Sequence, residues 1–139
     1  MDSIDNSILK FLGTGAVAVV GASSNPEKYG HKVFACYLQK GRKAYPINQK
    51  EDQILGQKAY KDLASLPEKV SSISIITPPA VTEKVVEEAI AQGVENIWMQ
   101  PGAESDQAVA AAKAAGINVI YGGPCVLVKL GYQEKATTH

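Results

Sequence analysis

The sequence predicts an α/β domain in which a parallel five-stranded sheet is doubly wound, with helices on both faces. The first observation is a repeated joint. Gln39-Lys-Gly41-Arg-Lys-Ala-Tyr, Ala91-Gln-Gly93-Val-Glu-Asn-Ile and Ala114-Ala-Gly116-Ile-Asn-Val-Ile each read as helix, glycine, short link and strand. Strands alternating with helices through such links need right-handed crossovers, which build a parallel sheet covered on both sides. The second is Val17-Ala-Val-Val-Gly21-Ala-Ser-Ser-Asn-Pro-Glu-Lys-Tyr-Gly30, a charge-free β-branched strand followed by a glycine-bounded loop and a helix start. The third is proline placement. Pro26, Pro46, Pro78, Pro79, Pro101 and Pro124 lie at or just past the carboxyl end of a predicted strand, and only Pro67 of the 7 prolines does not. In an open parallel sheet that edge is where ligands bind, so the architecture is Rossmann-like and its working edge is marked.

The elements follow in order. Ile4, Ile8, Leu9, Phe11 and Leu12 recur at helical spacing, with Ser3 or Asp5 to cap them, and predict a leading helix within residues 1–13. Gly13-Thr-Gly15 ends it and feeds the first strand. Beyond the glycine loop, Val33, Phe34, Tyr37 and Leu38 form the buried stripe of a helix that Gly41 stops. Ala44–Ile47 is the second strand, and residues 51–70 are expected to be irregular apart from a brief helix over Asp62–Leu66. Ile73–Ile76 is the third strand; Val81, Val85, Val86, Ala89 and Ile90 give the next helix its apolar face, closed by Gly93. Asn96–Met99 is the fourth strand, Ala108–Ala115 an alanine-rich helix, and Ile117–Tyr121 the fifth strand. Residues 134–139 carry no packing pattern and are expected to fray.

Composition narrows the function classes. A chain of 139 residues with 45% apolar and 20% charged residues is expected to be one globular domain over residues 1–139. Lys+Arg and Asp+Glu both number 14, so the balance gives no support to a nucleic-acid or membrane partner. Cys36 and Cys125 are too few for a disulfide framework, and no His/Cys cluster has metal spacing. With a polar amino terminus unlike a targeting peptide, the chain is expected to be cytoplasmic.

The glycine loop is the candidate site. Gly21 permits the turn, Gly30 permits close packing of the helix on the sheet, and Ser23, Ser24 and Asn25 add side-chain oxygens beside exposed backbone N–H groups. That is an anion site of the kind that takes phosphate or pyrophosphate; a plain strand-to-helix turn with a capping serine is the alternative. Charge is uneven here. No acidic residue lies between Glu27 and Glu51, where Lys28, Lys32, Lys40, Arg42, Lys43 and Lys50 all fall. Lys28 and Lys50 stand where a polyphosphate would lie, while Lys32 and Lys40 read as a solvated helix face. At the end of the second strand, where NAD sites carry an acid for the ribose hydroxyls, the sequence is Tyr45-Pro-Ile-Asn-Gln-Lys50. Asn48 and Lys50 favour a phosphorylated ribose, hence NADP or coenzyme A, and one small sheet offers little for a nicotinamide half.

At this point the chain resembles the coenzyme A-binding domain family, whose small stand-alone members are related to the amino-terminal domain of succinyl-CoA synthetase alpha subunits. The resemblance spans residues 15–128 and rests on Val19–Gly30, Tyr45–Lys50, Leu55-Gly-Gln-Lys-Ala-Tyr60, Ile97-Trp-Met-Gln-Pro-Gly102 and Gly116–Ile120. It implies coenzyme A or an acyl-CoA as ligand. Gly21, Ala22, Ser23, Ser24 and Asn25 would cradle the pyrophosphate, with Lys28 and Tyr29 closing over it and Gly30 at the loop's far end. Pro46, Asn48 and Lys50 would line the adenosine and its ribose phosphate. Thr77, Pro78 and Pro79 would wall the crevice, and Gln100, Pro101 and Gly102 would meet the pantetheine arm. The chain departs from many small members in having Thr77-Pro-Pro79 in place of an arginine, and Gly122-Gly-Pro-Cys125 in place of an Asp-Arg-Cys-like run.

A catalytic set does not assemble. His31 reads as a helix-surface or capping side chain, His139 is terminal, and Glu83 with Glu87 forms a solvated i,i+4 pair. Cys36, Trp98 and Met99 read as core. Cys125 is either a packing cysteine or a thiol placed to meet a ligand thiol in a mixed disulfide. The expectation is therefore a non-catalytic coenzyme A-binding module with no metal. The alternatives are an NADP- or other nucleotide-binding protein and a CoA-dependent enzyme half completed by a partner chain. Whether the leading helix packs on its own sheet or on a second copy in a homo-oligomer is left open.

Overall fold

The structure, a computed structural model, describes residues 3–132. The expected fraying of residues 134–139, the terminal His139 and the side chains of Ile4 and the two candidate caps lie outside the described residues or side chains. The strands are β1 (Val17–Val20), β2 (Ala44–Ile47), β3 (Gln53–Ile54), β4 (Gln57–Lys58), β5 (Ser72–Ile75), β6 (Asn96–Met99) and β7 (Asn118–Ile120). The helices are α1 (Ser3–Leu12), α2 (Tyr29–Gln39), α3 (Pro79–Gln92), α4 (Asp106–Ala114) and α5 (Val126–Leu130), with a 3₁₀ turn at Leu63–Ser65.

Five strands form one parallel sheet in the order β2-β1-β5-β6-β7. The chain leaves β1 toward β2 on one side and returns to β5 on the other, so the carboxyl ends of β1 and β5 diverge. This is the topological switch point at which an open sheet leaves a crevice.

Alternation along the strands divides the core in two. Ala18, Val20, Ile73, Ile75, Ile97 and Met99 face α3 and α4. Val17, Val19, Trp98 and Ile120 face α1, α2 and α5, where they meet Phe11, Val33, Phe34 and Tyr37. The sheet is thus buried on both faces, as continuous β-branched runs require. On the second face β5 presents serines: Ser72 shares a hydrogen bond with the Thr14 hydroxyl at 2.7 Å, and Ser74 with Tyr37 at 3.1 Å. Those partners let a polar residue open this strand one position ahead of the predicted start. Pro46, which lacks an N–H for the ladder, lies in β2 at the sheet's edge, where that loss is tolerated.

The leading helix packs on its own sheet. Phe11 meets Trp98 edge to face at 5.4 Å, and the Asn118 amide donates to Ser7 O at 3.0 Å, while Leu9 stays exposed. Residues 51–70 are more ordered than expected. They contain the antiparallel pair β3–β4 and the bridge Ile47–Tyr60, which swings the chain back beside the end of β2. The described helix α5, docked against α2, also has no counterpart in the sequence-based expectation.

Candidate functional site

The loop between β1 and α2 is set by two close approaches. Gly21 has φ +101, and a Cβ there would lie 2.2 Å from Ile76 O. A Cβ on Gly30 would lie 2.0 Å from Gly21 O. Both positions therefore require glycine, one for its turn and its neighbour, the other because the helix start lies directly on the loop's first carbonyl. Between them the expected capping side chains fold the loop itself. Ser23 Oγ accepts from Asn25 N and Asn25 Oδ1 from Glu27 N, both at 3.0 Å, while Lys28, just before α2, gives the helix no side-chain cap. His31 reaches back with Nδ1 2.9 Å from Ser23 O, bracing the loop from the first turn of α2.

The loop after β2 docks on this one. Asn48 Nδ2 donates to Ala22 O at 2.8 Å, and Asn48 Oδ1 accepts from the backbone N–H groups of Lys50 (2.7 Å) and Glu51 (3.0 Å). That turn folds the chain back on itself and carries Glu51 to the glycine loop. Glu51 Oε2 accepts from Ser24 N at 3.0 Å and from Asn48 Nδ2 at 3.4 Å. Ser24 holds the Glu51 carboxyl below its ordinary range, through its hydroxyl and then its backbone N–H, with smaller help from the charges of His31 and Lys28. From the sequence, the first acid after β2 stood beyond the site; the Asn48 turn brings it in.

A cleft of about 340 Å³ opens at the switch point. Gly21, Thr77, Asn48 and Lys50 line it, with Ile47, Val81 and Val85 as its apolar floor. Lys61 and Asp62 form the far wall, and the Lys61 ammonium donates to Gln49 O at 3.0 Å. Clefts of similar size lie at the opposite, amino-terminal edge of the sheet, around Leu66 and Val70 and around Lys10 and Gly116. Those lack the glycine loop and sit away from the switch point, so the carboxyl-edge cleft is the candidate site.

The remaining candidate residues lie as follows. Pro46 is buried in β2, and Pro78 and Pro79 are exposed at the start of α3. Thr77 Oγ1 is 2.7 Å from Thr82 Oγ1 at the base of that helix. Lys28 is exposed on the glycine loop. Gln100 is fully buried and engaged at both ends: Nε2 donates to Ser74 Oγ at 3.0 Å, and Oε1 accepts from Val126 N at 2.9 Å and Tyr29 Oη at 3.3 Å. Tyr29 also lies 2.6 Å from Cys125 Sγ; with the phenol hydrogen given to Gln100, the thiol is the donor in that contact. Burial, followed by the contact with Cys125, raises the Tyr29 hydroxyl well above its ordinary value. Pro101 and Gly102 are exposed on a separate loop, where Glu104 accepts from Gly102 N at 2.9 Å and Gly122 N at 3.3 Å. The structure therefore gathers Gly21, Asn48, Lys50 and Thr77 at one cleft with the rest of the glycine loop beside it, and sets Tyr29 and Gln100 in a separate network under the start of α2. Lys61 and Val81 join the cleft, and Glu51 the glycine loop, without having been singled out, because the Asn48 turn and the Ile47–Tyr60 bridge are contacts that local periodicity does not carry.

Residues 15–131 match the CoA binding domain family. The chain belongs to that family. Among relatives of this CoA-binding domain, an uncharacterized protein of Bacillus subtilis, YneT, is 27% identical over 104 residues, covering 75% of this chain and 77% of YneT. The alpha subunit of an ADP-forming acetate–CoA ligase of Pyrococcus furiosus is 33% identical over 88 residues, 63% of this chain. The match takes up only 19% of that ligase subunit. Among solved structures, a conserved hypothetical protein of Pyrococcus furiosus is 37% identical, with a TM-score of 0.78, covering 83% of this chain and 98% of that one. The CoA-binding domain thus occurs both as a small protein of this size and as one segment of a far longer ligase. No helix among the described residues is long and apolar enough to cross a membrane.

Proposed function

We propose that this chain binds coenzyme A or an acyl-CoA and holds it without transforming it. The pyrophosphate lies on the backbone N–H groups of the Gly21–Asn25 loop, the adenosine in the cleft between Thr77 and Asn48, and the ribose phosphate near Lys50. The observation that carries this reading is the glycine loop itself, closed by Gly30 on the carbonyl of Gly21 and presenting Ser24 N–H to an anion. Family membership supports the ligand, and the apolar floor of Ile47, Val81 and Val85 suits a flat, uncharged ring. Lys28 and Lys50 supply point charges that phosphates neutralise, whereas Lys43 is paired with Glu68 at 2.8 Å and Arg42 donates to Leu12 O at 2.9 Å.

Calorimetric titration with coenzyme A, dephospho-CoA and NADP tests this. Coenzyme A is expected to bind most tightly, and either removal of the ribose phosphate or Lys50→Ala to weaken it by about 1–3 kcal/mol, as for a lost charge-assisted bond. Equal affinity for coenzyme A and dephospho-CoA would remove the ribose-phosphate part of the reading, and tighter binding of NADP would replace the ligand. A second reading is favoured by the ligase relative, of which this domain is only a segment: an enzyme half completed by a partner chain. Turnover of an acyl-CoA on adding such a partner, and not by the chain alone, would establish it.

A further inference from the structure

We propose that Glu51 is a built-in competitor for the phosphate seat: its carboxylate occupies the Ser24 N–H in the ligand-free protein and leaves when a ligand phosphate arrives. This rests on reading the glycine loop as the phosphate site, and it identifies a residue that sets which ligands are admitted. The geometry is direct. Ser24 N–H is the donor a phosphate would use, and it is taken by Glu51 Oε2 at 3.0 Å. The carboxylate is seated by a side chain from the partner loop, since the same oxygen accepts from Asn48 Nδ2 at 3.4 Å. Asn48 in turn fixes the backbone of Glu51 at 3.0 Å and is tied to Ala22 O at 2.8 Å, so the seat and its occupant are built from one hinge of hydrogen bonds.

A carboxylate and a phosphate cannot share that donor. Brought to the same N–H, their like charges also repel. The charged groups around Glu51 are Lys28 and His31 from the glycine loop and the start of α2, with Lys50 and Asp52 beside it in the chain. Asp52 itself faces Lys61 at 3.8 Å. A ligand with several phosphates engages Lys28 and Lys50 as well as the N–H, and so displaces the carboxylate. A ligand lacking an anion at this point leaves Glu51 where it is. The glutamate therefore acts as a threshold on ligand charge, lowering the affinity for anionic ligands by the fraction of time the seat is open.

The test compares wild type with Glu51→Gln, an isosteric change at a part-exposed side chain, using coenzyme A, inorganic pyrophosphate and adenosine as probes. Calorimetry gives affinities and the Ser24 amide resonance reports the seat. If the seat is closed for about nine-tenths of the time, the substitution tightens coenzyme A and pyrophosphate roughly tenfold and leaves adenosine unchanged. The Ser24 amide is expected to differ between the two free proteins and to converge at saturation. Weaker coenzyme A binding by the variant would overturn the proposal, because Glu51 would then remain in the complex as an acceptor for ribose hydroxyls. Unchanged affinity would overturn it too. Should coenzyme A bind neither protein, the proposed function fails while pyrophosphate still decides the role of Glu51. If pyrophosphate then fails to move the Ser24 amide even in Glu51→Gln, the loop is no anion seat and the inference falls.

Discussion

At the scale of single residues, two glycines carry the site's geometry in different ways. Gly21 needs its positive φ, but Gly30 sits in an ordinary helix and is required only because its missing Cβ leaves room for Gly21 O. A helical glycine normally gains from replacement by alanine, by up to about 1 kcal/mol. Here the 2.0 Å overlap with a backbone carbonyl, which has no flexible end to move, reverses the sign. Gly30→Ala is expected to destabilise the protein by about 1–3 kcal/mol, in the range of overpacked cores, and to weaken coenzyme A binding by pushing the loop off the helix. Chemical denaturation and calorimetry check the two effects; a stabilised variant with unchanged affinity would mean that the loop gives way freely. The cysteines separate by environment as well. Burial pushes the Cys36 thiol up to about 11, so it stays protonated, whereas Cys125 lies half-buried against Tyr29.

At the scale of elements, the carboxyl-terminal helix is held by polar groups that the apolar pattern does not reveal. Val126 N donates to Gln100 Oε1 at 2.9 Å and Trp98 Nε1 donates to Pro124 O at 2.9 Å, so β6 and the residue that follows it supply the two anchors for the start of α5. Gln100→Leu would leave the Val126 N–H without its acceptor and remove one partner each from the Ser74 hydroxyl, which keeps Tyr37, and the Tyr29 hydroxyl, which keeps Cys125. A loss of at least about 1–3 kcal/mol is expected, with faster amide exchange in α5 than in β1. Exchange rates unchanged in α5 would show that its apolar contacts alone hold it. This explains what was legible in the chain and what was not. β1, β2 and β6 fall on the residues expected from their apolar runs, and the glycine joints stop α2 and α3 where expected. The β3–β4 hairpin escaped because its turn places a leucine, Leu55, at φ 51, where asparagine or aspartate would have announced it. α5 is too short to show a period. Within the candidate site, the grouping of Gly21, Asn48 and Lys50 beside one cleft is readable because each lies just past a strand's carboxyl end. Glu51 is not, since its position depends on how two loops fold on each other.

At the scale of the whole molecule, the proposed seat at the switch point would couple ligand binding to global stability. The order β2-β1-β5 leaves the crevice between two halves of one sheet, and its walls come from the ends of β1 and β2, the link to α3 and the chain beyond Tyr60. A ligand seated there bridges segments far apart in sequence, so unfolding any of them releases it. Binding to the folded state alone adds about 2.7 kcal/mol at a ligand concentration one hundred times Kd. For a domain of this size that corresponds to a rise in Tm of roughly 10 °C with coenzyme A. Dephospho-CoA at the same concentration, bound about tenfold more weakly, is expected to give about half the rise. Thermal unfolding followed by circular dichroism reads both, and identical shifts for the two ligands would place the ribose phosphate in solvent. Repeating the pair of measurements on Lys50→Ala ties the difference to its origin: the variant's two ligand shifts should draw together if the cation on the loop after β2 is, as proposed, the group that tells the ligands apart.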